Sequence, residues 1–553
     1  MIKQLSLKFG SSPESSSLNL QATPVTVFVG PNNSGKSKVL QEIHHFCTHG
    51  RGEQWHDLVG NIVFDTMTES DAMAEVAELL MQSKGSAAED DNILLMRGGG
   101  ATSIQKAKIL ELLTSEQRHI HEFCQFYLKH KAIKLTGENR TRLTNAQPAG
   151  NLKQAAQGTF QMLFRDDVKR EEIRKIIYDA FGFHLVIDPT EDGHLKLRLS
   201  DRAPANATEE RGLHDAAVKF HSAARPIDEA SDGVKSFIGI IIEVLAGSPA
   251  ILLLDEPEAF LHPALAFALG REICSATNRG NKRIFVSTHS PAFVMGCIQS
   301  GARINIVRLT YLRRIPTARL LPSDKISSLM RNPLLRSTSV LNALFYENVV
   351  VTEADSDRAF YQEINERLLR VGRGVPNCLF INAQNKQTVC SIVKPLRELG
   401  IPTVGLVDID VIKEGGAVWK KFLEMGFVPS MDIEAWAVKR RTMHDKFKAT
   451  NKDMKKEGGV ALLSPEDKEA AMNLFDALAE YGLFVVPHGE VEYWLSHLEV
   501  AGHGSSWLIS MFERMGDDPA ADEYVGPAND DVWAFVERVK GWLSDPLRKG
   551  IPA

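Results

Sequence analysis

The residues of this chain best placed to do chemistry are acids that follow buried apolar runs. Ile251–Leu252–Leu253–Leu254 leads without a break into Asp255–Glu256, then Pro257–Glu258–Ala259–Phe260–Leu261–His262–Pro263. Four apolar residues in a row read as a strand buried on both faces, the kind found at the centre of a parallel sheet. Acids at the C-terminal end of such a strand stand where doubly wound sheets bind ligands. In a nucleotide-hydrolysing site, Asp255 would hold Mg²⁺, usually through water, and Glu256 would orient or activate the attacking water. The pattern recurs in the second half. Asn348–Thr352 ends in Glu353, and Asp357 comes next at the start of a helix; Thr403–Val407 ends in Asp408–Ile409–Asp410; Leu483–Pro487 leads to Glu490 and Glu492. Acids from successive parallel strands converge on one sheet edge, where their repulsion is costly unless cations are bound. Mg²⁺ or Mn²⁺, two ions in all, is the expected partner, because paired hard cations activate water and stabilise the leaving oxygen of a phosphodiester.

A phosphate cradle lies upstream. Val25–Val29 reads as a strand, and Gly30–Pro31–Asn32–Asn33–Ser34–Gly35–Lys36–Ser37 matches G-x-x-x-x-G-K-[ST] in full, with an amphipathic helix over Lys38–Ile43 behind it. Glycines let the backbone N–H groups of Asn32, Asn33, Ser34 and Gly35 turn toward phosphates, and the helix N-terminus adds partial positive charge. Lys36 would reach the β- and γ-phosphates of ATP and Ser37 would ligate Mg²⁺. Two further elements fall in order. Ser231–Asp232–Gly233 precedes an apolar helix over Phe237–Leu245, offering an anion site as well as a plain N-cap. Arg283–Ser287 reads as another buried strand, ending in Thr288–His289–Ser290–Pro291, where His289 could sense a γ-phosphate.

The elements that must position these groups are less evenly legible. Residues 60–225 read as a long insertion between the P-loop half and the later motifs of the same domain. Within it, periodicity predicts one helix over Ile104–His130, and two strand-turn-strand units, Ile133–Leu143 turning at Gly137 and His184–Leu199 turning at Asp192–Gly193. Arg140 and Arg142 fall in the first of these and are expected as solvated hairpin charges more than as contacts to a phosphate or a partner. Asn145–Gly158 reads as a loop. His44, His45, Cys47 and His49 close the P-loop helix and are expected as partly exposed helix residues more than as a metal site. A helical stretch over Asn332–Phe345 leads into the second sheet, and Lys439–Lys456 is rich in Lys and Arg, either a phosphate-neutralising patch beside the acids or a solvated helix face. Trp436, just before it, and Phe447 within it are expected to pack.

Bulk properties set the frame. At 553 residues the chain needs two or three cores. The net charge of −6 leaves nucleic-acid contact to local basic patches. No apolar run reaches the ~18 residues that span a bilayer, so no membrane role is expected. The opening residues alternate like a strand and lack the pattern of a signal peptide. Six cysteines (Cys47, Cys124, Cys274, Cys297, Cys378 and Cys390) show no paired spacing, which favours reduced thiols in the cytoplasm.

The order Gly30–Ser37, Ser231–Gly233, Asp255–Glu256, His289 resembles that of ATP-binding-cassette (ABC-type) ATPases of the chromosome-maintenance and RecF kind. That resemblance implies two heads sandwiching ATP, each Ser231 facing the other subunit's γ-phosphate, in a homodimer or tetramer. Asp232 stands where a second Gly is usual. Glu353 with the later Asp408–Ile409–Asp410 resembles the topoisomerase–primase (TOPRIM) domain. The two joined on one chain resemble the overcoming-lysogenization-defect (OLD) nuclease family, which includes Gabija-type defence nucleases, with retron-associated defence nucleases alongside. The resemblance implies an α/β architecture: an ATPase head over residues 1–340 whose insertion serves dimerisation, then a Rossmann-like TOPRIM domain over residues 345–553. It also implies ATP-regulated, metal-dependent DNA cleavage in anti-phage defence, with Glu353, Asp357, Asp408, Asp410, Glu490 and Glu492 as metal ligands, and a partner defence protein or retron component. The family's catalytic lysine has Lys540, then Lys549, as its nearest counterparts. Ala354 departs from the Gly that often comes after the first Glu. An ATP-dependent DNA clamp or sensor without nuclease activity, and a toxin-like nuclease acting on RNA such as tRNA, remain open alternatives.

Overall fold

The computed structural model describes the chain except for residues 13, 51–55, 84–91, 98–99, 152, 157, 192, 248, 278–281, 313, 332–339 and 553. It divides into two compact units, Met1–Ser323 and Asp324–Ala553. Among the described residues, no helix is long and apolar enough to cross a membrane. None of the six cysteines is in a disulfide.

The first unit is built on a six-stranded sheet in the order Ile315–Leu321, Ile304–Leu312, Val25–Val29, Arg283–Ser287, Ile251–Asp255, Ala132–Leu135. Only the outermost pair, Ile315–Leu321 with Ile304–Leu312, is antiparallel. Val25–Val29 is buried throughout, as is Ile251–Leu254, which explains their unbroken apolar runs. Register does the positioning: Asp255 pairs with Ser287, and Ser287 with Phe28. Gly30, Asp255 and His289 therefore leave the same C-terminal edge of the sheet. Separate antiparallel sheets join Ile2–Leu7 to Asn19–Gln21 and Val59–Phe64, and His184–Glu191 to His194–Ser200. The second of these is the expected hairpin; Asp192, at its turn, lies outside the described residues, while Gly193 takes a φ of +67°.

Two expectations inside the insertion fail. The single helix over Ile104–His130 is replaced by the end of a strand (Gly100–Gln105), the helix Lys106–Thr114, a break, and a compound helix running from Ile120 through a π-turn at Cys124–Leu128 to Lys131. The apolar periodicity persists across the break because both pieces pack on the same core as Phe64 and Ile109. The hairpin over Ile133–Leu143 does not form. Ala132–Leu135 is instead the edge strand of the central sheet, parallel to Ile251–Leu254, and Thr141–Thr144 makes a 3₁₀ turn. The stretch between the P-loop half and the later motifs thus returns to the central sheet partway along.

The second unit carries a four-stranded parallel sheet in the order Cys378–Asn382, Asn348–Thr352, Thr403–Val407, Leu483–Val485. Its core gathers Phe360, Tyr361, Trp494, Trp507, Trp533 and Phe535. Of the helix expected over Asn332–Phe345, residues 332–339 lie outside those described and Val340–Phe345 is a 3₁₀ segment. Helices at Asp355–Arg370 and Lys386–Glu398 come after the first two strands in sequence and bring Glu353, Asp357 and Lys386 to the C-terminal edge.

Candidate functional site

In the first unit the strand Val25–Val29 releases the chain into a loop that only glycine can open. Gly30 has a φ of +142°, and a Cβ there would lie 2.0 Å from the carbonyl oxygen of Leu309. Asn32, Asn33 and Ser37 are exposed, while Ser34 and Lys36 are buried. Lys36 Nζ folds over its own loop, donating to the carbonyls of Gly30 (2.8 Å) and Pro31 (2.6 Å). Burial pulls its pKa down to about 8, against the opposing pull of Glu256, Glu258 and Asp255.

The acids meet this loop directly. Asp255 Oδ1 accepts from Ser37 Oγ at 2.8 Å and also from Ser287 Oγ, so the two expected Mg²⁺ ligands of the ATPase site are already in contact. Glu256 Oε1 is 3.3 Å from His289 Nε2. Burial, then the Lys36 charge, lowers the His289 pKa against the acids beside it, favouring a neutral imidazole able to accept or donate. Glu258 is half-buried and accepts from Thr288 Oγ1 (2.8 Å) and from the His289 backbone N–H (2.7 Å), which fixes the histidine's loop. Ser231 is exposed and caps the helix Asp232–Leu245. Gly233 packs so closely on the loop after Asp255–Glu256 that a Cβ would sit 2.6 Å from the Phe260 carbonyl oxygen.

Arg140 belongs to this cluster and was expected as a solvated charge. It is buried, and its Nη1 donates to the carbonyls of Asp255 (3.1 Å) and Glu256 (2.5 Å). Its neighbour Arg142 is exposed and pairs with Glu138, as expected. The only sequence trace of Arg140's role is its distance downstream of a four-residue strand whose partner lies more than a hundred residues away.

In the second unit, ligand atoms of Glu353, Asp408 and Asp410 lie within 4.8 Å of one another, and so do those of Glu490, Glu492 and His503. Among the described residues these are the groups spaced to hold a metal ion, and the histidines of the P-loop helix are not one. There His45 stacks on His49 at 4.0 Å, and Cys47 is buried. The Asp408 backbone N–H donates to Glu353 Oε1 at 3.0 Å. Asp357 is turned back to accept from the Ala354 N–H at 3.1 Å, at the start of its helix. Burial, then the Asp408 charge, raises the pKa of Glu353; burial also raises Asp408, Asp357 and Glu490.

Two lysines are set among these acids. Lys455 Nζ is 2.6 Å from Asp408 Oδ2 and 3.8 Å from Glu490 Oε2, spanning both groups. Lys386 Nζ is 2.8 Å from Asp410 Oδ2 and 3.2 Å from Glu414. Lys540 instead donates to the Gly372 carbonyl and Lys549 pairs with Glu480, so neither reaches the acids. The basic run is divided in the same way. Arg440 is buried on the Ile412 carbonyl and Lys455 turns to the acids, while Lys439, Arg441 and Lys448 remain on the exposed side of the helix Ser430–Ala449. Trp436 and Phe447 are buried, as expected.

The donor set fits hard divalent cations. All the carboxylates offer oxygen, and Asp410 Oδ1 and Glu490 Oε2 are buried without a hydrogen-bond partner. His503 adds an imidazole whose Nδ1 is 2.7 Å from Glu492 Oε1, a residue that the sequence spacing did not single out.

A family model described as an AAA domain, putative AbiEii toxin, type IV toxin–antitoxin system, matches residues 176–295. An OLD nuclease of Thermus scotoductus is 24% identical over 452 residues, spanning 74% of this chain and 82% of that protein. Solved structures include an SMC head bound to the C-winged helix domain of ScpA, at 13% identity over 59% of this chain and 99% of that one, with a TM-score of 0.34. The SMC head domain from Thermotoga maritima matches at 14% identity over 58% of this chain and 99% of that one, with a TM-score of 0.30. The resemblance to OLD nucleases read from the motifs is borne out to this extent: the chain is similar to one such nuclease over 74% of its length and carries a P-loop ATPase domain.

Proposed function

We propose that this protein is an ATP-regulated, divalent-metal-dependent endonuclease that cleaves DNA phosphodiesters in anti-phage defence. The observation that carries the reading is the edge of the second sheet, where six acids gather, Lys455 pairs with Asp408 and Glu490, Lys386 pairs with Asp410, and buried carboxylate oxygens of Asp410 and Glu490 keep no hydrogen-bond partner. Glu353, Asp408 and Asp410 would hold one cation, and Glu490 and Glu492 a second, with Asp357 behind them. Divalent cations there supply the charge that activates water and stabilises a departing oxyanion. Lys455 holds Asp408 and Glu490 in register and keeps a positive charge beside the place where a phosphodiester must enter. In the first unit, Lys36 and the P-loop amides would receive the ATP phosphates and Ser37 and Asp255 its Mg²⁺. Glu256 would direct the water, with His289 reading the γ-phosphate. Ser231, exposed at its helix start, would serve a second copy of the chain, which makes ATP part of a homodimer interface.

Plasmid DNA incubated with the purified chain and Mn²⁺ tests the reading. Nicking or linearisation is expected, and Asp408→Ala should reduce it by about a hundredfold or more. Cleavage that survives this substitution removes the metal site from the reaction, and DNA binding without any nicking favours a clamp. A parallel incubation with tRNA separates DNA from RNA, since both present the same bond.

A further inference from the structure

Arg140 is tied to the acid turn in a way that packing alone does not explain. The carbonyl of Asp255 lies in the peptide plane before the Glu256 Cα, and the carbonyl of Glu256 in the plane after it. A single nitrogen, Nη1 of Arg140, donates to both, at 3.1 and 2.5 Å. One donor bridging two successive planes fixes the dihedral angles of the residue between them. That residue needs fixing: Glu256 has a φ of +48°, in the left-handed region that a side chain other than glycine adopts only under constraint. Its carboxylate is the one that meets His289.

Nε and Nη2 of Arg140 are buried and have no hydrogen-bond partner, while the ring of Phe260 stands 5.9 Å away. Burial lowers the pKa of Arg140, opposed first by Glu258, so the cation is kept there against a desolvation cost that an apolar side chain would not incur. Arg140 is anchored behind as well. Its own carbonyl and the Leu143 side chain lie under Gly239 of the helix Asp232–Leu245, where a Cβ would come within 3.0 and 2.9 Å of them. That helix begins with Ser231 as its cap and Gly233 against Phe260.

We infer that Arg140 is a positioning residue for ATP hydrolysis: it holds Glu256 in its left-handed conformation and links that acid to the helix that starts at Ser231. The inference rests on the reading of this cleft as an ATPase site. Because the linked helix carries the exposed Ser231, a contact made at Ser231 by a second copy is felt at the backbone of Glu256 through one side chain.

The test compares the full-length wild type with Arg140→Ala and Arg140→Lys, measuring melting temperature, affinity for a fluorescent ATP analogue, and steady-state kcat and KM for ATP. Arg140→Ala should bind nucleotide within about threefold of wild type and lose about ten- to a hundredfold in kcat, the signature of an interaction realised at the chemical step. Arg140→Lys, which keeps the charge and loses the planar fork, should fall between. A kcat within twofold of wild type in Arg140→Ala overturns the inference, and so does a loss of affinity that parallels the loss of kcat. If Arg140→Ala does not fold, Arg140→Lys decides: a wild-type kcat there overturns the carbonyl clamp, and a reduced kcat with unchanged affinity supports it. A wild-type chain that binds no nucleotide overturns the ATPase reading itself, and the inference with it.

Discussion

Lys455 shows how much of this protein is decided one side chain at a time. Its ammonium spans Asp408 and Glu490, and the acids around it raise its pKa despite its burial, so it is charged wherever the protein is folded. A fixed cation at that point has two opposite effects. It competes with divalent cations for the same oxygens, and it offers positive charge to a phosphodiester that the six acids would otherwise repel. Lys455→Met separates the two. Calorimetric titration should show Mn²⁺ binding at least as tightly as in wild type, while plasmid cleavage falls by about a hundredfold. Cleavage that tracks the Mn²⁺ affinity would reduce Lys455 to a charge-balancing partner. The sequence concealed this residue inside a basic run, where its spacing is indistinguishable from that of exposed Lys452 or Lys456. Only the fold of the segment after Ala449 turns it inward. His503 was hidden for the same reason, as it meets Glu492 from the start of the later helix Gly504–Met515.

Elements whose signal is local were legible, and those defined by distant pairing were not. The strands at Val25–Val29, Ile251–Asp255, Arg283–Ser287, Asn348–Thr352 and Thr403–Val407 stand where their apolar runs put them, because both faces are buried and no alternation is needed. The motif residues at their C-terminal ends come together as the parallel register requires. Ala132–Leu135 could not be read in this way. It is four residues long, half-buried at its centre, and owes its strand state to Ile251–Leu254. Another non-local tie supports the P-loop helix Lys36–His49. Buried Glu42 accepts from the backbone N–H groups of Asp57 (2.9 Å), Leu58 (3.0 Å) and Val59 (2.7 Å), joining the helix to the start of the strand Val59–Phe64. Glu42→Gln weakens the acceptor and turns an amide donor toward these N–H groups, at a cost of about 1–3 kcal/mol. Hydrogen exchange at those three amides should then run about ten- to a hundredfold faster. Unchanged protection would show that the strand start is held by Leu58 packing instead.

Across the whole molecule, tryptophan gives the second unit its own reporter. Of the seven tryptophans, six (Trp419, Trp436, Trp494, Trp507, Trp533 and Trp542) lie beyond Ser323, and all six are buried, so a fluorescence melt tracks the unit that carries the acid cluster. Burial, then the Asp408 charge, pushes Glu353 up to about 8, and burial pushes Asp408 up to about 7 against the opposing pull of Lys455. Between the ordinary carboxylate range and those values, the folded unit binds protons that the unfolded chain has released. Without metal its stability therefore falls as the pH rises from about 5 toward 8, rather than climbing as it would for salt-bridged acids of lowered pKa. Divalent cations compete with those protons, so the stabilisation by Mn²⁺ should be small near pH 5.5 and largest near pH 8. At a hundredfold excess over the dissociation constant, the tryptophan transition should rise by about 5–10 °C at the higher pH. Asp408→Asn should remove part of the pH slope, since Glu353 is raised first by its own burial, together with most of the Mn²⁺ shift. A Mn²⁺ shift that persists in Asp408→Asn while the slope is reduced would place the tighter cation at Glu490, Glu492 and His503. If the slope persists in full and the shift is lost, Glu353 carries the titration on its own.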